Sequence, residues 1–501
     1  MTGRKGKVIK GTAWIGISRV VTAVIGFIST VVLARLLTPG DFGLVAIASA
    51  AAAIIAVVAD MPLSQAAIHH DDPDEEHFHT IWTFGLIRGL FMGALIGGSA
   101  PFVADFYGDQ RLTAILLALA GSAALNSMQN PMLVLFEREL VFWQSIVISL
   151  TERTTSFAVS VIIAWLYQSY WALVLGIVAA AFVRLVLTYV FKPYRPRFML
   201  TKAKELLSFS IWLTLGSWIH AVAYRADPLV LGYFIKPNVL GYYSMSSRIQ
   251  QMTIGELMSP ITAVLFPALS RMKHDAAQLR AAYLRVQSVS ATIALPASAG
   301  FAALSAPIVL LILGEQWLPA IPVLQVLVLM GALKAMEWLI PLALATGNTK
   351  ALFWRQTQSL IIRVPLLFGG IMVGQATALG VLMGAVLGMA VSQTFMTLWA
   401  MGLVKRLSGT GWKAQFSGLL RPLLASAGMA SAVLLALRSI GNIAADLEGY
   451  ATLLALVLLG IAAYMLLLFG LWLMGGKKSG PETELVHLFT QVTRRLRRVS
   501  V

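Results

Sequence analysis

The sequence contains no cysteine, and only 12% of its residues are charged against 58% that are hydrophobic. The first absence excludes disulfides, thiol catalysis and thiolate metal sites. The second argues against a soluble protein, because soluble domains average ~25% charged and ~45–50% apolar residues. Acids are the scarcer sign, 22 Asp and Glu against 38 Lys and Arg, which leaves a net charge of +16. There is no long polar stretch to form a separate soluble domain and no large extramembrane loop to carry a transferase or polymerase site. A glycine-rich phosphate loop, a Gly-x-Ser-x-Gly elbow and a His-Glu-x-x-His motif are also missing. Nothing in the chain therefore points to an enzyme, and no cofactor is expected.

What the chain does have is a rhythm of apolar runs. A bilayer core of ~30 Å takes about 20 helical residues to cross, and the sequence divides into such runs at 11–35, 42–63, 80–104, 111–135, 141–166, 170–191, 206–234, 241–269, 286–313, 320–345, 354–374, 377–404, 419–437 and 450–474. The expected fold class is an all-α polytopic membrane protein of about 14 transmembrane helices. The first run is too long for the apolar region of a signal peptide and is read as a retained helix. Four cations, Arg4, Lys5, Lys7 and Lys10, precede it. If the N-terminus is cytoplasmic, 26 of the 38 Lys and Arg fall in cytoplasmic segments and 4 in external ones. That bias predicts a multi-pass protein with both termini in the cytoplasm. The basic charge is dispersed over short loops, so no nucleic-acid partner is expected.

One connection breaks the charge pattern. His69-His70-Asp71-Asp72-Pro73-Asp74-Glu75-Glu76-His77-Phe78-His79 is acidic, carries four His, and has no Lys or Arg. Its spacing fits no standard ligand pattern, so it is read as a solvated loop and no metal is assigned.

The chain also repeats itself. A shift of 198 residues lays Leu33-Ala-Arg-Leu-Leu-Thr-Pro39-Gly-Asp-Phe-Gly43 on Leu231-Gly-Tyr-Phe-Ile-Lys-Pro237-Asn-Val-Leu-Gly241, and pairs Trp14 with Trp212, Val32 with Val230 and Ser49 with Ser247. In both copies an apolar run ends at a Pro turn and a Gly opens the next, which predicts two halves of six helices each with two appended. The expected organisation is a first lobe over 1–200, a second over 201–405, two further helices over 406–476, and a basic tail over 477–501.

The turn Ala34-Arg-Leu-Leu-Thr-Pro-Gly-Asp-Phe-Gly43, its echo Leu240-Gly-Tyr-Tyr243, and the six plus six plus two arrangement resemble the polysaccharide transporter (Wzx-type) flippases of the multidrug/oligosaccharidyl-lipid/polysaccharide exporter superfamily. The resemblance implies a V-shaped pair of lobes that moves a polyprenyl-pyrophosphate-linked oligosaccharide across the inner membrane by alternating access. Partners implied are membrane lipids and the polymerase and transferases of the same polysaccharide. A multidrug cation antiporter and a peptidoglycan-precursor flippase of the same superfamily are the alternatives.

The substrate site is sought among charges inside the apolar runs, since an ionised group near the bilayer centre costs ~2.5–3.5 kcal/mol and ordinarily faces water or a partner. Eight are basic: Arg19, Arg88, Arg153, Arg184, Arg225, Arg248, Lys334 and Arg363. Five are acidic: Asp60, Glu152, Asp227, Glu256 and Glu337. A basic surplus suits an anion, and guanidinium forks bind pyrophosphate oxygens in pairs, which fits seven Arg against one Lys. Arg153, Arg225, Arg248 and Arg363 are the first candidates for lining the pathway, with Arg19 and Arg88 at an inward mouth. Arg184, nearer a helix end, is read as an interface anchor. Lys334 and Glu337, three residues apart, are expected to form an ion pair, and Glu337 or Glu256 is a candidate for coupling to a proton gradient. His220 reads as a hydrogen-bonded structural residue. From Glu482 the tail alternates apolar residues with Arg494, Arg495, Arg497 and Arg498 at helical spacing, the pattern of an amphipathic helix on an anionic leaflet.

Overall fold

The structure, a computed structural model, describes residues 2–59, 74–138, 141–201, 225–441 and 443–475, and among these it contains helices and turns but no strand. The basic tail, His220, Asp60 and the acidic connection up to Pro73 lie outside the described residues. Helices α1 (Thr2–Leu36), α2 (Pro39–Ala59), α3 (Glu75–Tyr107), α4 (Arg111–Ser127), α5 (Trp143–Tyr167), α6 (Trp171–Phe191) and α7 (Asp227–Phe234) are followed by α8 (Pro237–Gln250) and α9 (Glu256–Arg271). Then come α10 (Ala276–Ala303), α11 (Ile321–Ala335), α12 (Leu339–Ala345), α13 (Thr349–Ala376), α14 (Val381–Ser408), α15 (Trp412–Ile440) and α16 (Leu447–Met474).

Among the described residues eleven helical stretches are long and apolar enough to cross a membrane, and the chain is a multi-pass membrane protein. The three expected runs that do not qualify have individual reasons. Residues 206–224 of the seventh run lie outside the description, the fourth run makes a helix of only 17 residues, and the eighth is interrupted by a π-helical turn at Gln251–Gly255. Helix α3 starts earlier than its apolar run, because Asp74 caps it by accepting from the His77 amide, and Glu75 and Glu76 then sit favourably in its first turn.

The chain separates into two compact units, Met1–Ser244 and Met245–Val501. In the first, α3 packs on α4, α5 on α6, α1 on α5, and α2 on α4 and α3. In the second, α13 packs on α14, α10 on α15 and α11, α15 on α16, and α9 on α12. Within a bilayer, burial of apolar surface no longer drives helices together, so small residues that let backbones touch decide the contacts. The α13–α14 seam shows this directly. A β-carbon on Gly370 would lie 2.3 Å from Gly384 O, one on Gly374 2.4 Å from Gly380 O, and one on Gly388 2.1 Å from Leu366 O.

Candidate functional site

The turn shared by the two repeats is built from its own residues. Thr38 is the N-cap of α2, its hydroxyl oxygen accepting from the Asp41 amide at 3.3 Å. Asp41 Oδ2 accepts in return from Thr38 N–H at 3.0 Å and from its hydroxyl at 2.6 Å, a reciprocal capping box. Pro39 fills the first helical position, where a missing N–H costs nothing. The second oxygen of Asp41 accepts from the Tyr170 amide at 3.1 Å and so ties this turn to the start of α6, while Phe42 is buried in the core.

The glycines of the repeat face each other across one crossing. A β-carbon on Gly43 would sit 1.9 Å from Pro237 O, and one on Gly241 1.8 Å from Pro39 O. The 198-residue repeat is therefore a reciprocal contact within the first unit: the N-termini of α2 and α8 cross with backbone against backbone.

Of the cations in the first unit, Arg19 and Arg153 are exposed and have no ion-pair partner among the described residues, while Arg88 is half-buried. Next to Arg153, Glu152 is taken by Arg184, Nη1 to Oε2 at 3.0 Å, and Arg184 Nε also donates to Gln129 Oε1 at 3.1 Å. Arg184 is thus an interhelical pair member, a role its nearness to a helix end did not suggest. Arg225 is exposed and makes no ion pair with Asp227, whose carboxylate accepts from the Tyr243 hydroxyl at 3.2 Å.

In the second unit Arg248 is half-buried, and Glu256 and Lys334 are exposed. Arg363 is 9% exposed and reaches Met389 Sδ at 3.5 Å. Glu337, expected to pair with Lys334 on its own helix, pairs with Arg355. Arg355 hydrogen-bonds Glu337, with both side chains buried, and Lys334 adds only its electrostatic field.

This pair sits where the helix breaks, at Met336–Trp338 between α11 and α12. A break inside a membrane frees backbone groups that must find partners. Here α10 supplies both. Gln287 Nε2 donates to Met336 O at 3.5 Å, and the Trp338 amide donates to the Tyr283 hydroxyl oxygen. Two atoms at the centre, Glu337 Oε2 and Arg355 Nε, are buried and lack a hydrogen-bond partner among the described residues.

Sequence reasoning missed Arg355, which stands at the start of the 354–374 run and was left out of the intramembrane cations. A signal was present: Arg355, Ser359, Arg363, Leu367 and Ile371 recur every four residues and are all buried, 1% to 9% exposed, on one face of α13. Among the described residues no cluster of His, Cys, Asp and Glu is arranged to hold one; His77 Nδ1 is 2.7 Å from Asp74 Oδ1 and His79 Nδ1 is 2.8 Å from Tyr194 Oη.

Comparison with known proteins bears on both fold and family. By structure, the chain is similar to the lipid II flippase MurJ in an inward closed conformation, with a TM-score of 0.71 at 16% identity over 91% of this chain and 98% of that one. It is also similar to an inward-facing multidrug resistance MATE family transporter of the MOP superfamily, with a TM-score of 0.58 at 15% identity over 79% of this chain and 99% of that one. These likenesses show that the chain shares the all-helical fold of these transporters. By sequence, it is 25% identical to the succinoglycan biosynthesis transport protein ExoT of Rhizobium meliloti over 69% of this chain and 71% of the relative. It is 25% identical to the lipopolysaccharide biosynthesis protein WzxC of Escherichia coli over 83% and 85%, and 22% identical to the teichuronic acid biosynthesis protein TuaB of Bacillus subtilis over 84% and 87%. The family described as "Polysaccharide biosynthesis protein" matches residues 32–322, which takes in the capped turn, its repeat and α10. With more than half its length inside that match, the chain belongs to this polysaccharide biosynthesis protein family.

Proposed function

We propose that the protein is a flippase that moves a polyprenyl-pyrophosphate-linked oligosaccharide repeat unit across the bacterial inner membrane, for export of an exopolysaccharide or lipopolysaccharide. The observation that carries this reading is the family match over residues 32–322, joined to relatives named for the transport or biosynthesis of three surface polymers. Both termini lie in the cytoplasm, and the two halves, 1–200 and 201–405, alternate access to the substrate. The pyrophosphate is held by guanidinium groups. Arg153, Arg225 and Arg19 are exposed and lack ion-pair partners among the described residues, and Arg88 and Arg248 complete the set. Arg363, on α13, is the sixth guanidinium assigned to the pathway.

Energy comes from an ion gradient or the membrane potential, since the sequence offers no nucleotide site, and Glu337 is the carboxylate we assign to coupling. Glu256 is the exposed alternative. The prenyl tail stays in lipid, and the protein works beside the polymerase and transferases of its pathway as a transporter, with no catalytic role.

The test is export of surface polysaccharide in a deletion strain complemented with the native gene or with Arg153→Ala, Arg225→Ala or Arg248→Ala. Loss of polymer with accumulation of prenyl-linked oligosaccharide on the cytoplasmic side supports the reading. Normal polymer in the deletion strain, with drug sensitivity in its place, refutes it and favours the multidrug antiporter.

A further inference from the structure

The connection that follows α6 does not hang free. Residues 193–200 run without helix along the first turns of α3 and are fastened to it at several points. The ring of Tyr194 stacks on His79 with centroids 5.3 Å apart and an interplanar angle of 27°, and its hydroxyl lies 2.8 Å from His79 Nδ1. The Arg197 amide points at the same nitrogen from 3.4 Å. One turn further along α3, the Met199 amide donates to the Thr83 hydroxyl at 3.1 Å, and Phe198 meets the edge of Trp82 at 5.6 Å. Lys192 O, at the root of the connection, accepts from Asn130 Nδ2 at 2.7 Å.

A backbone amide can only donate, so the Arg197 contact requires His79 Nδ1 to be an acceptor, which makes the ring neutral with its proton on Nε2. Tyr194 supplies the second donor. Burial, reinforced by neighbouring Tyr189 and Glu75, pushes the phenol well above its ordinary range and keeps it protonated. A second proton on His79 would turn Nδ1 into a donor facing an amide it can no longer accept from, and would forfeit the Tyr194 bond in its present sense.

We propose that His79 is a pH-sensitive latch that holds the 193–200 connection against α3 when neutral and releases it when protonated. The charged and titratable groups around the site are Asp74, Glu75, Glu76 and His77 on α3, Lys192, Arg195 and Arg197 on the connection, and Tyr189 on α6. The latch holds while the ring is neutral and is lost when the ring gains its second proton. It does not depend on which substrate the protein carries.

The chain has no native cysteine, so a single nitroxide at Phe198→Cys, a position 76% exposed, reports on the connection alone. The full-length protein in liposomes, equilibrated at the same pH on both faces, is followed by electron paramagnetic resonance from pH 8 to pH 5. The ratio of mobile to immobile label is expected to rise by up to about tenfold per pH unit. The same label with His79→Gln should show no such rise. Tyr194→Phe, which keeps the stacked ring and removes one donor, should move the midpoint to higher pH. Label mobility that ignores pH, an equal response in His79→Gln, or an unmoved midpoint in Tyr194→Phe each overturns the proposal.

Discussion

Replacing Gly43 with alanine tests whether the crossing of α2 and α8 is as tight as it looks. The new β-carbon would lie 1.9 Å from Pro237 O, 2.7 Å from Pro237 C and 3.0 Å from Gly241 N. All three atoms belong to backbone, so no side-chain rotation relieves the overlap, and the helices must part by more than an ångström. Overpacking of this kind costs ~1–3 kcal/mol, and contact with rigid backbone places it at the upper end. Alanine's better helix propensity returns about 1 kcal/mol, which leaves a loss of about 2 kcal/mol and a fall of several degrees in melting temperature. Gly98, on α3, has nothing within 4 Å of its β-carbon position, so Gly98→Ala should match or slightly exceed the native melting temperature. The double variant Gly43→Ala/Gly241→Ala should lose less than the sum of the singles, because helices already parted for one methyl have room for the second. Thermal unfolding of the detergent-solubilised protein, read by tryptophan fluorescence, measures all four. A Gly43→Ala protein that melts with the Gly98→Ala control would refute the argument.

Other substitutions separate structure from transport. Arg355→Ala leaves Glu337 buried and uncompensated, and thermal melting should report a loss of about 3–5 kcal/mol; Arg355→Leu with Glu337→Leu should recover most of it. Asp41→Ala removes both the capping box and the tie to Tyr170, and the same measurement should register a loss of about 1–2 kcal/mol. Arg153 of α5 and Arg184 of α6 should behave differently: Arg153→Ala, with no ion pair among the described residues to break, should lower polymer export at an unchanged melting temperature. Arg184→Ala, which breaks the pair with Glu152, should shift melting by no more than about 1 kcal/mol, since both side chains are partly exposed.

The sequence was read well where its signal is one-dimensional. Apolar runs gave most of the helices, and the common offset between Pro39–Gly43 and Pro237–Gly241 picked out two turns that meet in space. It could not say that the match would be a contact, because register within a repeat carries no distance. The candidate site was legible only in part. Glu337 was singled out as an intramembrane acid, but its partner was sought on the same helix, where spacing can be counted. The true partner, Arg355, lies across a helix break that no propensity marks. Met336 and Trp338 leave helical geometry because Gln287 and Tyr283 of α10 accommodate the freed backbone groups, and that is a tertiary effect. Likewise, His79 reads as a solvated residue until the connection after α6 is laid over it.

The glycine seam between α13 and α14 sets a rule for how this chain can vary in length. Surface turns ordinarily tolerate insertions, and the turn between Ala376 and Val381 is short and exposed. Each added residue, however, would turn α14 by about 100° relative to its present register. Side chains would then replace Gly380, Gly384 and Gly388 where α14 meets the backbone of α13. Insertions and deletions should therefore be absent from this turn even where substitutions are accepted, and a one-residue change here should disturb the hairpin along its whole length.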